Sequence, residues 1–424
     1  MAGFSRFGTT MMAAAVVVVL LSRCASGGPS EAEKTDTEGV LLFDLNDSTT
    51  AAIPGEWVGD TLILRNDQEE LVLAPLDAHP GLWSIPVFDG TLSLTTDTGH
   101  WHDVLRPGEY RVAARWERRR AQQGPEWGED TLSWALTFGE DDPWFGQLFL
   151  QQSEGRCRGS IATATGDFRH LHGTLTGSEL ILQTFDGAHL FRFAGSLDTG
   201  GSIRDGVFHS GNHYATSFSG RPVDPSSSSL EDAPIASWTG QPVQYTGLDL
   251  QGDSVHWTAG QSDGVHVLSV MGSWCPNCMD EHRLLVSMME RFPDLRVHTL
   301  AFERGLDREG GGDAALARLR RYAEQMGVTR FGDRWRMRLI GPASKVRAQE
   351  ALPFLDRVVS FPTSVVSSPD QAEPWIHSGF NGPAMGPAHD LEIARFVAAI
   401  SGPSENRCRG RRPAFGRGSP PPTR

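Results

Sequence analysis

Cys275 and Cys278 enclose Pro276 and Asn277 at the point where the chain changes its period. Residues 265–271 are a strand-like apolar run. From Met279 the apolar residues Leu285, Met288 or Met289, and Phe292 fall on one helical face. A Cys-x-x-Cys pair at a strand-to-helix junction puts its first sulfur at the helix N-terminus, where free N–H groups and the helix dipole stabilise a thiolate. The second sulfur lies one turn further in, within reach to resolve a mixed disulfide. Pro276 suits the first turn, where its missing N–H is not needed. Zinc uses the same spacing but calls for a second Cys or Cys/His pair, which neither Cys157 nor Cys408 supplies. An inert structural disulfide is the other reading, although cysteines on adjacent turns close a loop that constrains little.

A second signal lies downstream, where Ser360, Phe361, Pro362 and Thr363 lead into a strand start at 364–366. An X–Pro bond here can be cis and present backbone beside the cysteines. The elements expected to hold these residues are helices at 279–292, 313–326, 344–352 and 390–400, with strands at 295–302, 363–366 and 374–379. Upstream the pattern is different. Short apolar–polar alternations at 109–114, 131–138, 146–151, 160–165, 179–185 and 189–194 are separated by Gly-Asp, Asp-Gly and Thr-Gly turns, which is the pattern of an all-β region.

The 424 residues suggest two or three domains, and 39% hydrophobic residues supply real cores. Fifty-two acidic against 38 basic side chains give a net charge of -14, which argues against a partner bound by phosphate neutralisation. Forty-seven glycines and 26 prolines favour turns over a helical bundle, and five cysteines do not make a dense disulfide framework. Arg6 precedes an apolar run at 11–21, of signal-peptide length and well short of the ~20 residues that span a bilayer. Leu-Ser-Arg-Cys at 21–24 reads as a lipoprotein-type signal with Cys24 as the lipidated residue. Arg23 stands where that motif wants a small residue, so a conventional cut near Cys24 is the competing reading.

The expected organisation is a signal at 1–25, a tether at 26–39, an all-β domain of sandwich or barrel type at 40–222 and a Pro/Ser-rich linker at 223–232. An α/β domain at 233–401 and a disordered basic tail at 402–424 complete it. Each half is expected to carry its own core, with the β half positioning substrate or partner.

Three motifs in order carry a resemblance: Trp-Cys-Pro-Asn-Cys-Met-Asp-Glu at 274–281, Phe-Pro-Thr at 361–363 and His-Ser-Gly-Phe-Asn-Gly-Pro at 377–383. Over residues 248–400 the chain resembles the TlpA-type thioredoxin-like proteins, exported and membrane-tethered thiol–disulfide oxidoreductases of bacteria. The resemblance implies an α/β thioredoxin-like domain with Cys275 and Cys278 catalytic and Trp274, Pro276, Phe361 and Pro362 supporting substrate docking. It implies no cofactor beyond the dithiol, protein disulfides as substrates, a membrane thiol relay of CcdA/DsbD type as partner, and a place in the periplasm or cell envelope. The family's fold keeps a buried Asp six residues before the first cysteine. That position is Ser269 here, and Glu281 and Glu303 are weak substitutes for which a solvated or structural role is expected. The 165–173, 185–193 and 210–213 segments resemble the all-β domain that precedes some TlpA-type proteins, and no chemistry transfers with it.

His170 with His172, and His100 with His102, alternate onto strand faces, where a polar sheet face is the expectation and no metal site is assigned. Gly310 to Gly312 lack the Lys-Ser/Thr of a phosphate loop and read as a flexible loop. Two other functions compete. A copper-delivery protein would hold Cu(I) on the thiols with a histidine such as His377, but chaperones of that kind space their cysteines by three residues. A thiol peroxidase would need Pro and Thr/Ser ahead of its cysteine, where Leu268 and Gly272 stand.

Overall fold

The computed structural model describes residues 37–405 except 78, 107, 120–124, 129, 228–229, 231–234 and 261–263. The signal, the tether up to residue 36, Cys24, and the tail from 406 with Cys408 lie outside the described residues. Among those described, no helix is long and apolar enough to cross a membrane.

The expected single all-β domain is two closed barrels. In the first, eight antiparallel strands from Glu38–Asp44 to Arg111–Arg118 close when the first strand pairs with both the second and the last, Leu41 opposite Ile53 and Trp116. Alternating residues such as Leu41, Phe43, Leu62, Leu64 and Trp101 fill it. In the second, strands from Leu132–Phe138 to Tyr214–Pro222 form a nine-stranded sheet that closes where Trp144–Ser153 pairs with Arg156–Thr163. Phe138, Phe193, Phe208 and Phe218 pack in its core, with Phe193 and Phe208 stacked at 4.5 Å. Both barrels have the same strand period. What separates them is the pairing of distant strands, which local alternation does not encode.

The C-terminal unit is a seven-stranded mixed sheet in the order Ser254–Thr258, Gln244–Leu248, Trp335–Pro342, Arg296–Glu303, His266–Met271, Thr363–Ser367, Trp375–Ser378. The central strands Trp335–Pro342, Arg296–Glu303 and His266–Met271 run parallel, and their neighbours antiparallel. Among the described residues its α-helices are α1 (Pro276–Arg291), α2 (Gly311–Gln325), α3 (Lys345–Ala351) and α4 (Pro387–Glu405). His266–Met271 is buried along its whole length, as a covered parallel strand must be. Val267 and Met271 point into a core with Leu285, Leu319 and Phe396, whereas Leu268 and Val270 point to the opposite one with Leu300 and Ala348. Residues 311–312, expected to lie in a flexible loop, form the first turn of α2.

The three units touch. Met279 of α1 reaches the core cluster of the first barrel, Arg308 donates to the Val104 carbonyl at 2.9 Å, and Asn66 of the first barrel donates to the Phe185 carbonyl of the second at 2.8 Å.

Candidate active site

Cys275 is the N-cap of α1. Its backbone is extended, and its Sγ accepts the Cys278 N–H at 3.2 Å, one of the orphan donors of a helix start. Pro276 occupies the first turn, and the helix begins a turn earlier than the apolar period indicated. Cys275 and Cys278 are joined as a disulfide with their Cα atoms 5.3 Å apart. Cys278 is fully buried and Cys275 is 5% exposed, so the first sulfur is the one with access. Cys157, the remaining described cysteine, is a free thiol inside the second barrel, pushed up to about 12 by burial.

The Phe361–Pro362 bond is cis, and the Phe361 carbonyl lies 3.4 Å from Cys275 Sγ. A thiol at Cys275 can donate to it. Pro362's own carbonyl accepts from Gly379 N at 2.9 Å and Ser360 Oγ at 3.0 Å. Trp274 and Phe361 meet edge to face at 5.5 Å, and Trp274 Nε1 donates to the Phe302 carbonyl at 2.9 Å. A Cβ at Gly272 would stand 2.2 Å from that Nε1, so only glycine admits the ring here. Arg304 lies over the Trp274 ring at 4.3 Å and pairs with Asp103 of the first barrel at 3.7 Å.

Glu281 and Glu303 are not solvated. Both are fully buried, so of the solvated or structural role expected for each only the structural alternative remains. Glu281 accepts from Ser269 Oγ and Ser364 Oγ, so the serine at the position of the missing aspartate holds the carboxylate of α1. Ser269 in turn accepts from His282 Nε2 at 3.2 Å, and Tyr322 OH lies 2.9 Å from His282 Nδ1. Burial drives His282 down to about 3, so the ring is neutral, with Nε2–H donating to Ser269 and Nδ1 accepting from Tyr322. Burial raises Glu281 to about 7 against the two serine hydrogen bonds, which pull the other way. A carboxyl that exchanges its proton near neutrality thus sits behind the cysteines. Glu303 accepts from Ser273 N and Ser273 Oγ, both at 2.8 Å, and faces Arg318 at 3.4 Å. Burial raises it as well.

The raised Glu281 value has a consequence for stability. The folded state prefers the neutral acid, so this contribution is whole below the unfolded value near 4.5 and is lost as pH rises through about 7. Between pH 4.5 and 8 the wild type should lose up to ~3 kcal/mol more stability than Glu281→Gln. Denaturant titrations of the oxidised proteins at the two pH values check this, and identical pH dependences would refute it.

Four residues that the sequence reading did not single out stand beside the cysteines. Arg169 of the second barrel donates to the Pro276 carbonyl at 3.0 Å and ion-pairs with Asp280 of α1 and Glu69 of the first barrel. One guanidinium therefore joins all three units. Despite its burial, the Asp280 and Glu69 charges hold it protonated. Asp167 accepts from Gly382 N at 2.8 Å and Arg169 N at 3.0 Å, and burial, then the Asp280 charge, raises it to about 7. Asn277, between the two cysteines, donates through Nδ2 to the Asp167 carbonyl at 3.1 Å and faces the Phe380 carbonyl at 3.3 Å. Gly166 has φ +124, and a Cβ there would stand 2.4 Å from Asn277 Nδ2.

His377 lies opposite Ser364 in the sheet, near enough to Glu281 for its charge to favour the carboxylate, and it is paired with Glu392 at 3.0 Å and stacked on Trp375. The polar face expected at His170 and His172 is largely covered, and burial pushes His172 down to about 4. No group of three or more His, Cys, Asp or Glu able to hold a metal occurs among the described residues.

No family model matches the chain, and no curated protein matches it. Solved structures do. MTB DsbF, in mixed oxidized and reduced forms, is 16% identical, covers 37% of this chain and 96% of its own, and gives a TM-score of 0.26. The thioredoxin domain of a thiol-disulfide oxidoreductase from Bacteroides vulgatus is 18% identical over 39% of this chain and 99% of its own, at a TM-score of 0.25. A secreted Mycobacterium tuberculosis disulfide oxidoreductase homologous to E. coli DsbE is 14% identical over 36% of this chain and 95% of its own, at 0.24.

Proposed function

We propose that the chain is a thiol–disulfide oxidoreductase that reduces protein disulfides. The observation that carries this reading is Cys275 at the N-cap of α1, bonded to Cys278 and flanked by the Phe361 carbonyl and the Trp274 ring. In the dithiol form the Cys275 thiolate attacks one sulfur of a substrate disulfide. A mixed disulfide forms and the other substrate sulfur leaves as a thiolate that takes up a proton. Cys278, deprotonated, then attacks Cys275 Sγ, releasing the second substrate thiol and leaving the disulfide. Two electrons pass to the substrate. A dithiol donor must return them, and a membrane thiol relay of CcdA/DsbD type fits that role. Glu281, one turn after Cys278 on the buried face of α1 and exchanging its proton near neutrality, is suited to accept the Cys278 proton. Trp274, Phe361 and Pro362 form the docking surface. The TlpA-like type, export and an anchor at Cys24 belong to the same reading.

The purified full chain separates this from the two competitors. Reduction of insulin disulfides by the dithiol form supports it. Stoichiometric Cu(I) uptake without insulin reduction points to copper delivery, and peroxide consumption without it points to a peroxidase; either overturns the reading.

A further inference from the structure

The residue between the cysteines is tied to a different unit. Asn277 is half-buried, and its Nδ2 reaches the second barrel at the Asp167 carbonyl, 3.1 Å, and the Asp167 side chain, 3.4 Å. The Asp167 carboxylate is itself spoken for. It accepts the N–H of Gly382, in the loop after Trp375–Ser378, and the N–H of Arg169, whose guanidinium holds the Pro276 carbonyl. Around Asp167 close three segments: the barrel turn at Gly166, the first turn of α1 and the Gly379-to-Gly382 loop. The fit is tight on every side, since a Cβ at Gly379 would stand 3.1 Å from Gly166 N and one at Gly382 would stand 2.9 Å from Asp280 Oδ2. All these contacts are made with the disulfide closed.

We propose that Asp167 of the second barrel is a positioning residue of the dithiol, acting through Asn277 to hold the first turn of α1 in the arrangement of the disulfide form. Asp167 touches neither sulfur. It weights the Cys275–Cys278 equilibrium because a contact shifts a two-state balance by the difference in its strength between the states. The strut favours the disulfide, and its loss moves the pair toward the dithiol. This rests on the oxidoreductase reading, for which the barrel becomes part of the redox site instead of a remote tether.

The test is a double-mutant cycle on the full chain, with the dithiol fraction read by thiol labelling and mass spectrometry in glutathione buffers of graded ratio. Asn277→Ala removes the amide from the Asp167 carbonyl, and Asp167→Ala frees the turn that presents that carbonyl from Gly382 N and Arg169 N, so each should shift the equilibrium constant toward the dithiol at least threefold. The double variant should shift it no further than the larger single change, because the two residues act as one strut. Single shifts below threefold, or shifts that multiply in the double variant, overturn the proposal. If Asp167→Ala does not fold, Asn277→Ala and Asn277→Leu, which both lose the amide that reaches the Asp167 carbonyl, carry the test, and shifts below threefold in both overturn the proposal. A wild type that never equilibrates with glutathione defeats the oxidoreductase reading itself; a wild type that equilibrates normally beside unshifted variants defeats only the strut.

Discussion

Cys275→Ser should bring insulin reduction to background, while Cys278→Ser should accumulate mixed disulfides with its substrates. The asymmetry follows from position. Cys275 is the N-cap, where its sulfur accepts the Cys278 N–H and lies at the positive end of α1. In the proposed reaction that position stabilises the thiolate and assigns Cys275 as the nucleophile. Cys278 is fully buried inside the helix, so no substrate sulfur reaches it directly, and its one task is to attack the neighbouring sulfur. Without Cys278 the first exchange proceeds and the intermediate is stranded. Without Cys275 no exchange begins. Non-reducing gels and mass spectrometry of the two variants read this, and trapping by Cys275→Ser would reverse the assignment.

Arg169→Met should destabilise the protein by ~3–5 kcal/mol, the cost of stripping a buried charge cluster of its counter-ion. The Arg169 side chain is 3% exposed, and Asp280, Asp186 and Glu69 around it are 4%, 2% and 15% exposed. Arg283 also pairs with Asp280 but is largely exposed, so it does not replace the buried guanidinium. Arg169→Lys should recover part of the loss only, because one ammonium does not span Asp280, Glu69 and the Pro276 carbonyl together. Denaturant unfolding at neutral pH measures both variants. A loss below ~1 kcal/mol for Arg169→Met, within the usual range of surface pairs, would mean the cluster is not closed from water.

The cysteine site was legible because a change of period marks it: the apolar run before Gly272 and the helical spacing after Met279 place Cys275 at a junction. For Glu281 the solvated and structural alternatives were left open, although the signal that separates them was there. Cys278, Glu281, His282 and Leu285 follow one another at i, i+3, i+4 and i+7, so they share the buried face of α1. A glutamate on that face must find hydroxyls, and Ser269 and Ser364 supply them. The Arg169–Asp280 pair was not legible. Its partners are far apart in the chain and meet only because the second barrel docks on α1, and no local pattern encodes docking. The two barrels were read as one unit for the same reason, since closure depends on Leu41 meeting Trp116 and Gly146 meeting Thr163.

The reduction potential of the Cys275–Cys278 pair in the full chain, taken from its equilibrium with glutathione, tests the central claim most directly. A disulfide that works by exchange should give one reversible two-electron transition above about −300 mV, in the region of working dithiols from about −270 to −120 mV. A pair that stays oxidised at every glutathione ratio, with a potential below about −300 mV, behaves as a structural disulfide and contradicts the account.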